Sequence, residues 1–274
     1  MSTPLKLAGF AAVLVLAFGL AAVAGGAVGP DRSDDAAERA DTPAGHGAEE
    51  PEGHGTEADP VRGLAVADDG LRLELADTEL PRGRAATLRF TIREGDGAVR
   101  DFEVEHEKRM HLIVVRRDGT GFQHLHPKLE ADGTWSTPVT LPEAGAYRVF
   151  ADFKRAGEAR TLAADLVVDG DADYRALPAP STTDTTDGYE VELDQQGETL
   201  AFTITRDGKP VTPEPYLGAG GHLVALREGD LAYLHVHPTG EGVEFETELD
   251  TAHRYRLYLQ FKHEGRVHTA EFTR

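Results

Sequence analysis

The sequence predicts an all-β protein: two tandem immunoglobulin-like β-sandwich domains behind an N-terminal transmembrane helix and a disordered acidic tether. Three observations carry this. The chain repeats itself internally, each repeat shows short alternating strands punctuated by turns, and the first 60 residues share neither feature. The composition agrees, with 30 glycines, 15 prolines and a 40% apolar fraction over 274 residues. That mixture suits many short strands in two domains of about 100 residues each.

Lys6 and the amino terminus precede an apolar run from Leu7 to Val28. A span needs about 20 residues, and a cleaved signal core only about 7–15. Residues 1–30 therefore read as an anchor in preference to a signal, although Ala22-Val23-Ala24 offers a small-residue cleavage site. The positive end stays inside, which places the remainder outside the cytoplasmic membrane, or secreted if the segment is cleaved. Residues 31–60 hold ten acidic residues, two arginines and no large aliphatic or aromatic side chain. Such a segment cannot bury enough surface to offset chain entropy. Its Gly-His-Gly triplets around His46 and His54 fit a spacer better than a loose metal-gathering tract.

The repeat organises the rest. MHLIVVRRDGTGFQHLHP (110–127) aligns without a gap with GHLVALREGDLAYLHVHP (221–238), at an offset of 111. Upstream, LRFTI (88–92) matches LAFTI (200–204); downstream, YRVFADFKRAG (147–157) matches YRLYLQFKHEG (255–265). Domain 1 is expected over 61–170 and domain 2 over 188–274, with a Pro/Ser/Thr/Asp-rich linker at 171–187. Leu71, Leu73 and Leu75 alternate with polar residues, as do Leu88, Phe90 and Ile92, which is the strand period. Asp132-Gly133 and Asp207-Gly208 read as turns. The Ala144-Gly145-Ala146-Tyr147 lead-in fits the tyrosine corner of such sandwiches.

Within the shared block, Asp118-Gly119 suggests a type I′ turn joining two strands. Val115 then faces Phe122, Ile113 faces His124 and His111 faces His126, all on one face. A Gly229-Asp230 turn likewise sets Leu226 opposite Tyr233, Val224 opposite His235 and His222 opposite His237. Each repeat is thus expected to gather its own metal site: His111, His124 and His126 in one, His222, His235 and His237 in the other. Three neutral imidazoles at this range can share a divalent ion. The bland alternative is a strand end whose histidines bond to nearby backbone. His106, His253, His263 and His268 lack counterparts in the other repeat and read as surface or structural residues.

Composition excludes several chemistries. There is no cysteine, hence no disulfide, thiolate zinc site or blue-copper centre. Met110 is the only methionine after the initiator, too few for a soft copper(I) site. Copper(II) is favoured, with zinc or nickel next. A formal charge of −20 argues against nucleic acid. No nucleophile elbow, phosphate loop or repeated carboxylate beside the histidines points to catalysis.

The two histidine blocks and the closing YRLYLQFKHEGRVHTAEF resemble a family of membrane-anchored or secreted actinobacterial-type heavy-metal-binding proteins. More distantly, each unit is similar to the YtkA-like and CopC-like copper-handling sandwiches. The resemblance implies a cupredoxin/CopC-like sandwich that handles metal, usually copper, at the cell envelope. The chain departs from the CopC-like pattern in offering no ligand at a mature N-terminus. The expected function is therefore non-catalytic copper buffering or delivery. Its expected partners are the metal ion, the cytoplasmic membrane, and a copper transporter or other envelope protein. The competing expectation is an extracytoplasmic protein-interaction module with incidental histidines.

Overall fold

The computed structural model describes residues 61–274 except positions 235, 241 and 248, and for His237 the backbone alone. The apolar segment and the acidic tether lie outside the described residues. Among the described residues no helix is long and apolar enough to cross a membrane, and every regular element is a strand.

Domain 1 contains β1 (Ala67–Asp68), β2 (Leu71–Leu75), β3 (Glu79–Leu80), β4 (Ala85–Glu94), β5 (Gly97–Ala98), β6 (His111–Arg116), β7 (Gln123–Leu125), β8 (Lys128–Leu129), β9 (Trp135–Thr140), β10 (Gly145–Arg155) and β11 (Glu158–Val168). One sheet runs β1-β2-β4-β9-β8 with β5 on β4, and the other runs β3-β11-β10-β6-β7. The two sheets pack face to face through the alternation visible in sequence. Leu71, Leu73, Phe90, Ile92 and Trp135 meet Leu112, Val114, Tyr147, Val149 and Leu166, all at most 2% exposed. Each such burial contributes roughly 1.5–3 kcal/mol. The Tyr147 hydroxyl donates to the Glu143 carbonyl at 2.9 Å, forming the expected tyrosine corner.

Domain 2 repeats the plan with β12 (Thr183–Thr186), β13 (Tyr189–Gln196), β14 (Thr199–Arg206), β15 (Lys209–Pro210), β16 (His222–Arg227), β17 (Tyr233–Leu234), β18 (His237–Pro238), β19 (Glu244–Glu246), β20 (Tyr255–His263) and β21 (Arg266–Thr273). Its sheets are β12-β13-β14-β19-β18, with β15 on β14, and β17-β16-β20-β21. Asp207 and Gly208 both have positive φ between β14 and β15, the signature of a type I′ hairpin. β12 begins inside the stretch expected as linker, and pairs with β13 across Asp187-Gly188.

The histidine hairpin of domain 1 turns differently from expectation. Gly119 has φ of +78° but Asp118 is not left-handed, so this is no type I′ turn. The Gly119 amide donates to Arg116 O and the Arg116 amide to Thr120 O, which makes a three-residue loop. Gly121, at φ +65°, absorbs the one-residue discrepancy, and Ile113 still pairs with His124. The Asp118 carboxylate explains the altered loop. It accepts from Arg116 Nε at 3.0 Å, Thr120 Oγ1 at 2.7 Å and the Arg175 amide at 2.9 Å. Arg116 also donates to Asp173 O at 3.0 Å, so this buried ion pair fastens the start of the linker to domain 1.

Both domains belong to one compact unit. Strand β6 is buried at all six positions. Leu112 and Val114 enter the domain's own core, whereas Ile113 and Val115 face the neighbouring domain. There they join Phe150, Val224, Leu226, Leu231, Tyr233 and Tyr258 in a shared cluster. Phe122 stacks on Tyr258 at 4.1 Å and Phe150 packs against Tyr233 at 5.6 Å. In the repeat alignment Phe122 is equivalent to Tyr233 and Phe150 to Tyr258. The two contacts are therefore mates, and the domains meet through the same face about an approximate two-fold axis. The Tyr258 hydroxyl donates to Gly119 O at 2.5 Å across this interface. Gly63, with φ of +70°, passes between Phe150 and Tyr233, where a Cβ would lie 2.8 Å from both side chains. Only glycine fits there.

Candidate metal centre

The outward face that carries Ile113 and Val115 also carries His111, two residues earlier on β6. His124 joins it from β7 by pairing with Ile113. In domain 2, His222 opens β16 at the position equivalent to His111. Because equivalent faces dock, these three side chains from two domains converge. Each offers a ring nitrogen, and the three nitrogens lie within 4.8 Å of one another. The His111 and His222 rings stack at 5.5 Å, and His124 lies 4.6 Å from His222. His126 completes the group, 5.1 Å from His111 and 4.7 Å from His124.

Among the described residues the cluster draws on both repeats, whereas the expectation was one site in each. His111, His124 and His126 do gather on one hairpin, but the ring that joins them is His222, from the other repeat. His235 and the side chain of His237 lie outside the described residues. His106 is exposed, as a surface residue is expected to be, and its ring stands 6.1 Å from both His111 and His222. It occupies the left-handed position (φ +45°) of a tight turn, Glu105 to Lys108, that the second repeat reproduces at Tyr216 to Ala219. The turn swings the ring toward the cluster, a placement that a comparison of side-chain identities could not detect. The remaining histidines lie elsewhere: His253 meets Asp250, His263 meets the Tyr189 hydroxyl, and buried His268 meets Asp187.

The surroundings favour neutral imidazoles. Burial lowers His111 to about 4, against a weaker opposing effect of its bond to Glu105 O. Burial and then the neighbouring imidazoles lower His124 to about 3 and His126 to about 4. His222 is held well below its ordinary value, chiefly by burial and then by His124 and His111. Two of these rings also carry a buried nitrogen with no hydrogen-bond partner, Nε2 of His126 and Nδ1 of His222. Unpartnered buried nitrogens are costly in a packed interior. Neutral rings with free lone pairs are what a divalent ion takes as ligands. The residues present thus fit a metal ion.

The sequence held one signal for this shared site. HLIVV and HLVAL are continuous apolar runs, the pattern of strands covered on both faces rather than one. A lone sandwich would leave the histidine face to solvent.

Comparison with known proteins places the chain in a family without an assigned activity. The family described as a domain of unknown function, DUF8832, matches residues 65–170 and 184–274, and the chain belongs to it. No curated protein matches significantly. Among solved structures, alpha-2-macroglobulin from Escherichia coli is 15% identical, over 74% of this chain and 20% of that one, with a TM-score of 0.28. The Escherichia coli adhesin FdeC is 14% identical, over 76% and 65%, at 0.28. A chimeric titin Z1Z2 tandem is 15% identical, over 73% and 94%, at 0.20. This chain therefore spans a fifth of the first protein and just under two thirds of the second.

Proposed function

We propose that this member of the DUF8832 family is a non-catalytic metal-binding protein of the cell envelope, holding one ion between its two domains to buffer or deliver it. The observation that carries the reading is the convergence of His111, His124 and His222 ring nitrogens within 4.8 Å across the domain interface. Copper(II) is the first candidate because the donors are imidazoles and affinity ordering favours it, with zinc and nickel following. Met110 is buried in the core of domain 1, which leaves no thioether for copper(I). The apolar N-terminal segment supports a location outside the cytoplasmic membrane, with a metal transporter as the expected partner. The non-catalytic reading draws on an asymmetry: Asp152, opposite His111 in register, is Gln260 in the second repeat, so no carboxylate recurs beside both.

Equilibrium dialysis of the full chain tests this, with a competing chelator to strip ions held loosely by the tether. One equivalent of copper(II) or zinc(II) per chain is expected, lost in His111→Ala, His124→Ala and His222→Ala alike. Uptake well below one equivalent for both metals, unchanged by these substitutions, would return the protein to the reading as an interaction module.

A further inference from the structure

We propose that Gln260 is a positioning residue for the metal centre: its side-chain amide sets which nitrogen of His124 carries the hydrogen, and so whether the lone pair of Nε2 is free for an ion. The inference rests on the metal-binding reading.

Donors and acceptors around the two rings decide where the hydrogens sit. Nε2 of His111 lies 3.1 Å from the Glu105 carbonyl oxygen, which can only accept. Nε2 of His111 therefore carries the hydrogen, and in a neutral ring Nδ1 is left with a lone pair. That Nδ1 stands 3.0 Å from Nε2 of His124. On its far side His124 presents Nδ1 to Oε1 of Gln260 at 2.7 Å. An amide oxygen only accepts, so this contact places the His124 hydrogen on Nδ1 and leaves Nε2 bare. Two lone pairs then face each other at 3.0 Å, an arrangement that a cation between or beside them resolves. The outer hydrogen bonds of both rings, one to a carbonyl and one to an amide oxygen, match the second layer of contacts that orients metal-bound histidines.

Gln260 suits this task. It is 7% exposed, and its Nε2 donates to Thr269 Oγ1 at 3.4 Å, which turns Oε1 toward His124. Domain 1 has the same pair in acidic form, with Thr161 Oγ1 donating to Asp152 at 2.7 Å. The second repeat therefore keeps the threonine and replaces the acid with an amide. An amide can turn over where a carboxylate cannot. Turned over, it would donate to Nδ1 of His124, Nε2 would donate to His111, and both lone pairs would be consumed. Gln260 thus chooses between a closed hydrogen-bond chain and an open pair of ligands, and it does so from domain 2 upon a histidine of domain 1.

The test compares wild type, Gln260→Leu and Gln260→Glu in the full chain. It reads zinc affinity by chelator competition, and the His124 tautomer by imidazole nitrogen-15 shifts. Leucine removes the acceptor and is expected to weaken zinc binding by about 10–100-fold, the usual effect of losing an outer contact. Glutamate keeps an acceptor and is expected to bind within about threefold of wild type or more tightly, which also controls for folding. His124 in the zinc-loaded wild type should be protonated at Nδ1. Zinc affinity unchanged in Gln260→Leu, or a His124 unprotonated at Nδ1, overturns the proposal. If wild type takes up neither zinc nor copper, the metal reading itself falls. The metal-free tautomer then decides the role of residue 260: Nδ1–H in Gln260→Glu, which can only accept, changing to Nε2–H in Gln260→Leu supports it, and one tautomer in both overturns it.

Discussion

Replacing His222 by alanine, alone and together with His111→Ala, separates a composite centre from two independent ones. His222 belongs to domain 2, whereas His111, His124 and His126 belong to domain 1. In the composite centre, each single substitution removes one of three nitrogens that lie within 4.8 Å of one another. Loss of a direct ligand should cost at least about 100-fold in affinity, the upper end of what loss of an outer contact costs. That is about 2.8 kcal/mol per substitution. The double variant should then lose little more than either single one, because the site has already gone. The resulting coupling energy should approach the full single-variant effect, far above the ~0.3–0.5 kcal/mol scatter of independent sites. Isothermal titration with copper(II) or zinc(II) supplies the four affinities and the stoichiometries. If His222→Ala halves the stoichiometry and leaves the affinity of the remaining site intact, the shared centre is refuted.

Two further outcomes concern the interface and its ionisation. Tyr258 is fully buried, and its hydroxyl reaches Gly119 O across the interface, so Tyr258→Phe leaves that carbonyl without this donor. The expected cost is about 1–2 kcal/mol, seen in calorimetry as a fall of about 2–8 °C in Tm. Acidification should destabilise the metal-free protein. His111, His124 and His126 have folded pKa values of about 4, 3 and 4, below the ordinary 6.5, and burial holds His222 well below its ordinary value too. The unfolded chain therefore takes up protons first, and stability should fall as pH drops from about 6.5 toward 4. Asp152, raised to about 6 by burial, acts in the opposite sense, since protonation relieves it over the same range. Four rings against one carboxyl set the sign. Urea denaturation at a series of pH values checks it, and a midpoint that rises on acidification would contradict it.

Much of the fold was legible because strand pairing follows local rules. Alternation in LRLEL and LRFTI identified core strands, and the Tyr147 lead-in identified the corner. The expected pairing of Ile113 with His124 is present even though the turn that produces it is different: Asp118 is engaged by Arg116 and Arg175, and Gly121 restores the register. Leu226 opposite Tyr233 holds as well. The arrival of His222 beside the domain 1 histidines was not legible in the same way. It depends on which outer face of one sandwich meets which face of the other, and no spacing within a hairpin encodes that. His106 illustrates the limit, since its left-handed backbone, and not its neighbours in sequence, turns the ring toward His111.

By itself the sequence determined the duplication, the β-rich units and the grouping of His111, His124 and His126 on one hairpin. Each of these follows from repetition, period and local pairing. Only the tertiary structure decided that His222 joins that group and that Gln260 stands behind His124. The physical reason is that β6 and β16 are apolar on both faces. Each can bury its second face only against the other, and that burial carries His222 to the imidazoles of domain 1.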